Sequence, residues 1–175
     1  IGMSIIFTSV FSGIEVIWDR QFGFLKETLV APVSRIQIVI GRVLGGATTA
    51  VFQGIVVFLI SLAFGFIKID IMYLLPLLIV MFLIAILFTA LGTAIASKLQ
   101  DMQGFQLIMN FLVMPVFFLS GALFPLDGLP TTLKLIARFD PLSYGVDALR
   151  VFIGGTSHFG LFTDFAVLIS VGLFF

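Results

Sequence analysis

Three long stretches without a charged side chain set the terms for this chain. Val43–Ile67 runs 25 positions, Ile71–Ser97 runs 27 and Met102–Leu126 runs 25. A helix needs about 20 apolar residues to cross a hydrocarbon layer of roughly 30 Å. Each stretch therefore crosses once with some tilt and is too short to cross twice. Composition agrees, since 61% of the 175 residues are hydrophobic and 10% are charged, where a soluble domain carries about 25% charge. A water-soluble domain of this size cannot hide so much apolar side chain. Nine basic residues balance nine acidic ones, which leaves no basic face for nucleic acid. The absence of cysteine removes disulfides, thiolate nucleophiles and Cys-based metal sites. The expected fold is an all-α membrane protein, a polytopic helix bundle.

Ile1–Ile14 and Phe165–Phe175 are apolar but shorter, and read as membrane helices cut by the limits of the sequence. The chain is thus expected to be a fragment of a longer membrane protein. With Glu15–Arg42 and Lys98–Asp101 inside, Arg20, Lys26, Arg35, Arg42 and Lys98 face inward, and Lys68, Lys134, Arg138 and Arg150 face outward. The shorter inner loops are denser in positive charge, which favours this orientation.

Local signals place several boundaries. Ser34 with Gln37 fits a capping box that starts a helix at Arg35, and Pro32 blocks continuation from the preceding loop. Gly41 and Gly45 form a GxxxG pair, read either as a packing notch within one subunit or as a dimer seam. Pro76 lies in the first turns of its span, whereas Pro115 lies mid-span and is expected to kink its helix. Between Pro125 and Asp164 two short helices are expected. The first carries Leu129, Leu133 and Ile136 behind Pro130. The second opens on Asp140 and Pro141 as N-cap and first helical residue, with Leu142, Val146 and Leu149 on one face and Asp147 paired to Arg150. Neither is long enough to cross, so both lie in or dip into the outer interface.

Catalytic patterns are absent. Gly41–Thr48 approaches a phosphate-binding loop, but Ala47 stands where the lysine belongs and no strand precedes it. His158 is the only histidine and reads as a solvated loop residue. No GxSxG, HExxH or intramembrane carboxylate pair occurs. The three complete spans also carry no ionisable residue, which argues against proton coupling within them.

The stretch Asp19–Arg35 mixes charges with an apolar set at helical spacing, Phe22, Leu25 and Leu29. From pattern alone it is either a plain amphipathic juxtamembrane loop or a docking knob for a soluble partner. Asp19-Arg20, Gly23, Glu27-Thr28-Leu29 and Pro32-Val33-Ser34-Arg35 together resemble the cytoplasmic loop of ABC-2 type permeases, the membrane subunits of ABC exporters. Leu119-Ser120-Gly121-Ala122-Leu123-Phe124-Pro125 with Leu129-Pro130 is a second match. Asp140-Pro141-Leu142-Ser143-Tyr144-Gly145-Val146-Asp147-Ala148-Leu149-Arg150 is a third, with Asp140 in place of the commoner Asn.

The resemblance implies an ABC-2 permease-like domain over 1–175, entered at the family's second helix and lacking its first. It implies spans near 1–14, 43–67, 71–97, 102–126 and 165–175, a coupling loop over 15–35 and outer helices over 129–150. Arg20, Phe22, Gly23, Leu25, Lys26, Glu27 and Leu29 would form a cytoplasmic coupling helix that docks on an ABC ATP-binding subunit. Pro130, Asp140, Pro141, Tyr144, Asp147 and Arg150 would belong to two short re-entrant helices at the outer face. The chain itself would bind no cofactor and hold no catalytic residue or metal; ATP and Mg would sit on the partner subunit. A second permease subunit, identical or different, would complete the unit in a prokaryotic plasma (inner) membrane. The cargo implied is hydrophobic or amphipathic: a drug, an antibiotic, a lipid-linked or lipo-oligosaccharide. The 22 Phe suit such a cargo, and equally suit a lipid-facing surface. A membrane scaffold or assembly protein and an ATP-independent carrier are the competing readings.

Overall fold

A computed structural model describes residues 1–23, 34–65, 71–122, 137–154 and 159–174. It shows seven helices among them: α1 (Gly2–Ser12), α2 (Ile14–Gln21), α3 (Arg35–Ala63), α4 (Ile71–Lys98), α5 (Met102–Leu119), α6 (Pro141–Phe152) and α7 (Leu161–Phe174). No strand occurs among the described residues. The all-α polytopic bundle expected from the charge-free stretches is the architecture observed. Four helical stretches are long and apolar enough to cross a membrane: Gly2–Gln21, Arg35–Ala63, Ile71–Lys98 and Met102–Leu119.

α4 is the hub. It packs against α1, α3, α6 and α7 along its length, and against α2 and α5 near its end. Its apolar residues surround the helix, as a centrally buried helix requires, and Leu77, Val80, Met81, Ile84, Leu87 and Phe88 are fully or almost fully buried. The outer helices bury only a stripe. In α3 the stripe is Ala47, Ala50, Gly54 and Phe58, while Ile36, Phe52 and Leu59 on other faces are exposed. In α5 it is Phe105, Met109, Val113 and Phe117, at strict four-residue spacing, while Leu107 and Phe111 point away from the bundle. In water such faces would be a liability; against lipid they cost nothing, because the tails are as apolar as leucine.

The helices cross closely where side chains vanish. A Cβ on Gly13 would fall 2.6 Å from the Gly92 carbonyl, and one on Gly92 would fall 2.5 Å from the Val10 carbonyl. Gly46 meets Ser12 and Thr89, and Gly54 meets Ile5 and Met81, in the same way. Gly41 and Gly45 have no such neighbour within 4 Å. Among the described residues the packing notch is made by Gly46 and Gly54, one helical register away from the expected GxxxG pair.

The limits of the first span and of α5 differ from those expected. The first span continues through Glu15, Asp19 and Arg20 to Gln21, with Gly13 joining α1 to α2 in a helical conformation. α5 stays helical through Pro115 but stops at Leu119, seven residues before the charge-free stretch ends, where Ser120 caps it and Gly121 follows. The expected capping box is present: the Gln37 amide donates to the Ser34 hydroxyl, and the Ser34 amide donates to the Gln37 side chain.

Candidate functional site

α2 ends beside the turn between α4 and α5, and three of its last four side chains, Trp18, Arg20 and Gln21, bind that region. The last carbonyls of any helix lack intrahelical donors. At the end of α4 the Arg20 guanidinium supplies them, donating to the Ser97 carbonyl at 2.9 Å and the Leu99 carbonyl at 3.1 Å. A cation at a helix C-terminus also meets the negative end of the helix dipole. Gln21 donates its side-chain amide to the Gln100 carbonyl at 3.3 Å, and the Trp18 indole N–H points at the Met102 sulfur at 3.0 Å. Asp19 turns the other way and forms an ion pair with Arg42 in the second turn of α3. Both partners are partly exposed, so the pair alone is worth at most about 1 kcal/mol. Its role is geometric, because it ties the end of α2 to α3 while Arg20 ties it to the end of α4 and the turn that follows.

Phe22 and Gly23 follow directly. Phe22 caps α2 and is 70% exposed, and Gly23 has φ 83°, a conformation that favours glycine. The chain therefore leaves the latch by a sharp turn with an exposed aromatic at its root. Leu25, Lys26, Glu27 and Leu29 of the expected coupling helix lie outside the described residues. Between α2 and α3 the same end of the bundle holds a cavity of 580 Å³ lined by Glu15, Asp19, Gln37, Gly41, Arg42 and Gly45 among others.

The second expected set sits at the opposite end. α4 has 28 residues, about 42 Å of helix. Ser97 at one end meets Arg20, while Tyr73 at the other packs on Phe152 of α6, ring centroids 6.2 Å apart. Asp140 caps α6 as expected, accepting from the Leu142 amide at 2.9 Å and the Ser143 hydroxyl at 3.3 Å, and Pro141 takes the first helical position. Asp140 is nonetheless buried, and burial outweighs these two bonds, pushing its carboxyl up to about 7. The Tyr144 hydroxyl donates to the Arg138 carbonyl at 2.8 Å. Asp147 and Arg150 do not pair as expected. Arg150 reaches 2.7 Å to the Gly121 carbonyl just beyond α5, and Asp147 accepts from the Phe159 amide at 3.0 Å. Each closes a different connection onto α6, which a pair within the helix would not do. A cavity of 520 Å³ lies beside them, with Ile1, Met3, Ser61, Phe117, Val146 and Arg150 in its wall. Pro130, with the first expected outer helix, lies outside the described residues.

The structure thus keeps the described members of the two expected sets at opposite ends of one bundle and adds Trp18, Gln21, Arg42 and the α4–α5 turn to the first. The sequence held one signal for the latch: Lys98–Asp101 is the other short charged turn assigned to the same side. Pairwise partners such as Arg20 and Ser97 are 77 residues apart, beyond the reach of any local pattern. Residues 1–153 match the ABC-2 type transporter family. The chain belongs to that family. It is 30% identical over 145 residues to the inner membrane transport permease YadH of Escherichia coli K12, covering 83% of this chain and 56% of YadH. It is 31% identical over 176 residues to ycf38 of Porphyra purpurea, covering 96% and 59%. It is 32% identical over 114 residues to nodulation protein J of Rhizobium leguminosarum bv. trifolii, covering 65% and 42%. The chain spans about half the length of these curated relatives. No solved structure matches it. With four helices long and apolar enough to cross a membrane, this member of the ABC-2 type transporter family is a multi-pass membrane protein.

Proposed function

We propose that this chain is the transmembrane subunit of an ATP-driven exporter, with the latch at the end of α2 as its transmission point. The observation that supports this reading is the triple attachment of residues 18–21: to α3 through Asp19, to the end of α4 through Arg20, and to the start of α5 through Trp18. A push on the segment that follows Gly23 reaches three membrane helices at once. A scaffold has no need of such an arrangement, and a carrier working without ATP has no partner to push. Phe22, Leu25 and Leu29 supply apolar docking to an ABC ATP-binding subunit that carries ATP and Mg, and Lys26 and Glu27 set register. A second permease subunit completes the unit in a prokaryotic plasma membrane. The cargo is hydrophobic or amphipathic, in keeping with Ile1, Met3, Phe117 and Val146 in the wall of the cavity beside α6.

The test uses the full-length protein purified with its co-purifying chains. Glu27→Lys is expected to lose the ATPase subunit while membrane insertion is unchanged. Arg20→Ala is expected to retain the subunit but to weaken coupling between ATP hydrolysis and export several-fold, the range in which residues along a coupling path act. A stable wild-type complex without ATPase activity would sink the exporter reading and favour a scaffold or passive carrier. Full coupling in Arg20→Ala would remove the latch from the mechanism.

A further inference from the structure

The end of the bundle opposite the latch holds a cation that no described acid neutralises. Arg150, in the last turn of α6, is half-buried and stands in the wall of the 520 Å³ cavity. Four helices bring their ends to this space: α1 with Gly2 and Met3, α3 with Ser61, α5 with Phe117, and α6 with Val146 and Arg150. A second cavity of 460 Å³ adjoins it, sharing Ile1 and Met3 and adding Ser4, Phe7 and Val57. Phe7 lies one turn beyond Met3 on α1, and Val57 one turn before Ser61 on α3. The second cavity therefore leads about 6 Å further toward the middle of the bundle.

Among the described residues lining the two cavities, Arg150 alone has a charged side chain. The hydroxyls in the walls bond within their own helices, Ser4 to the Ile1 carbonyl at 2.7 Å and Ser61 to the Val57 carbonyl at 2.9 Å. Arg150 gives one N–H to the Gly121 carbonyl at 2.7 Å, out of the five a guanidinium carries. The one ion pair among the described residues, Asp19–Arg42, is at the other end of the bundle. Asp147, on the same helix as Arg150, accepts from the Phe159 amide. A guanidinium set among apolar side chains loses part of its hydration, and an anion taking parallel N–H bonds compensates best. The space past Met3 offers a polar group nothing and suits hydrocarbon. A cation at the bundle end, with apolar room leading inward from it, is the outline of an amphiphile.

We propose that the two cavities together bind one anionic phospholipid, with its phosphate on Arg150 and an acyl chain running past Met3 to Phe7 and Val57. The phosphate brings the missing negative charge and the acceptors; the chain fills the apolar space. Net charge matters, because in phosphatidylcholine the phosphate is already paired with the ammonium of its own headgroup. This reaches beyond the exporter reading and does not depend on it, since a resident lipid needs no ATP-binding partner.

The closing experiment offers phosphatidylglycerol or phosphatidylcholine, with identical acyl chains, to the full-length protein delipidated in detergent, and counts retained lipid by native mass spectrometry. Wild type is expected to retain phosphatidylglycerol with a preference of about tenfold, the worth of one hydrogen bond to a charged group. Arg150→Gln is expected to lose that preference. Met3→Trp, at a half-exposed residue shared by the two cavities, is expected to lose the lipid with Arg150 untouched, and serves if Arg150→Gln does not fold. Equal retention of the two lipids overturns the proposal, as does an undiminished preference in Arg150→Gln or undiminished retention in Met3→Trp. So does displacement of the lipid by inorganic phosphate at equal concentration, because the site would then read a free anion alone. Wild type that retains neither lipid overturns it too, since another part of the full-length chain then fills the cavities.

Discussion

Gly13 and Gly92 face each other across a helix crossing with no room for a methyl group on either side. A Cβ on Gly92 would meet the Val10 carbonyl at 2.5 Å, and this is backbone that cannot swing aside. Gly92→Ala is therefore expected to force α1 off α4 and cost about 1–3 kcal/mol, as overpacking does. Gly45→Ala, with nothing within 4 Å, is expected to change stability by less than about 0.5 kcal/mol. Thermal midpoints of the two variants in detergent decide the matter. Equal midpoints would mean that the crossing is looser than the structure shows. If Gly45→Ala alone is destabilising, the surface at Gly45 is covered in the assembled protein. Sequence could find small residues at four-residue spacing here, but not choose among Gly41, Gly45, Gly46 and Gly54. The choice is a matter of which face of α3 meets α1 and α4, and tertiary packing decides that.

Helix ends show where local chemistry was readable and where it was overruled. The Ser34–Gln37 box and the Asp140–Pro141 start are short-range patterns with a direct physical cause, and both occur as read. α2 extends past its expected limit because charges need not end a membrane helix when the neighbouring turn supplies partners: Arg20 finds the α4 carbonyls and Asp19 finds Arg42. The expected Asp147–Arg150 pair fails for the converse reason, since stronger demands come from the Phe159 amide and the Gly121 carbonyl. The cap of α6 also carries a pH dependence. Asp140 has its ordinary value of 3.8 in the unfolded chain and about 7 in the folded one. The native state thus binds the proton more tightly, and the contribution to stability is full below the ordinary value. It declines as pH rises towards about 7 and is constant above. Asp140→Asn keeps the acceptor for the Leu142 amide and loses the charge, so it is expected to unfold with a shallower pH slope and to be more stable than wild type at alkaline pH. Asp140→Ala loses the cap itself and is expected to cost about 1 kcal/mol at acid pH. A slope in Asp140→Asn equal to that of wild type would show that Asp140 is already ionised in the folded protein.

At the scale of the whole molecule the parity of crossings fixes more than any single residue. α2 and the α4–α5 turn must share one side of the membrane because Arg20 joins them, and α6 must lie on the other because Tyr73 meets Phe152 a full helix length away. The charge-free stretches made this alternation legible, since each crossing is a property of length and hydropathy alone. Which side is the cytoplasm rests on a slender excess of Lys and Arg, five against four over the loops, sharpened by the shortness of the inner turns. Because these 175 residues contain no cysteine, single introduced cysteines report the answer without background from this stretch. Gln100→Cys, in the α4–α5 turn, is expected to react with a membrane-impermeant maleimide only after the cells are opened. Phe139→Cys, at a residue 83% exposed before α6, is expected to react in intact cells. The reverse pattern would put the end of α2 and Phe22 outside, where no ATP-binding subunit could reach them. The latch would then have to act on something other than ATP hydrolysis, and the exporter reading would fail with the orientation.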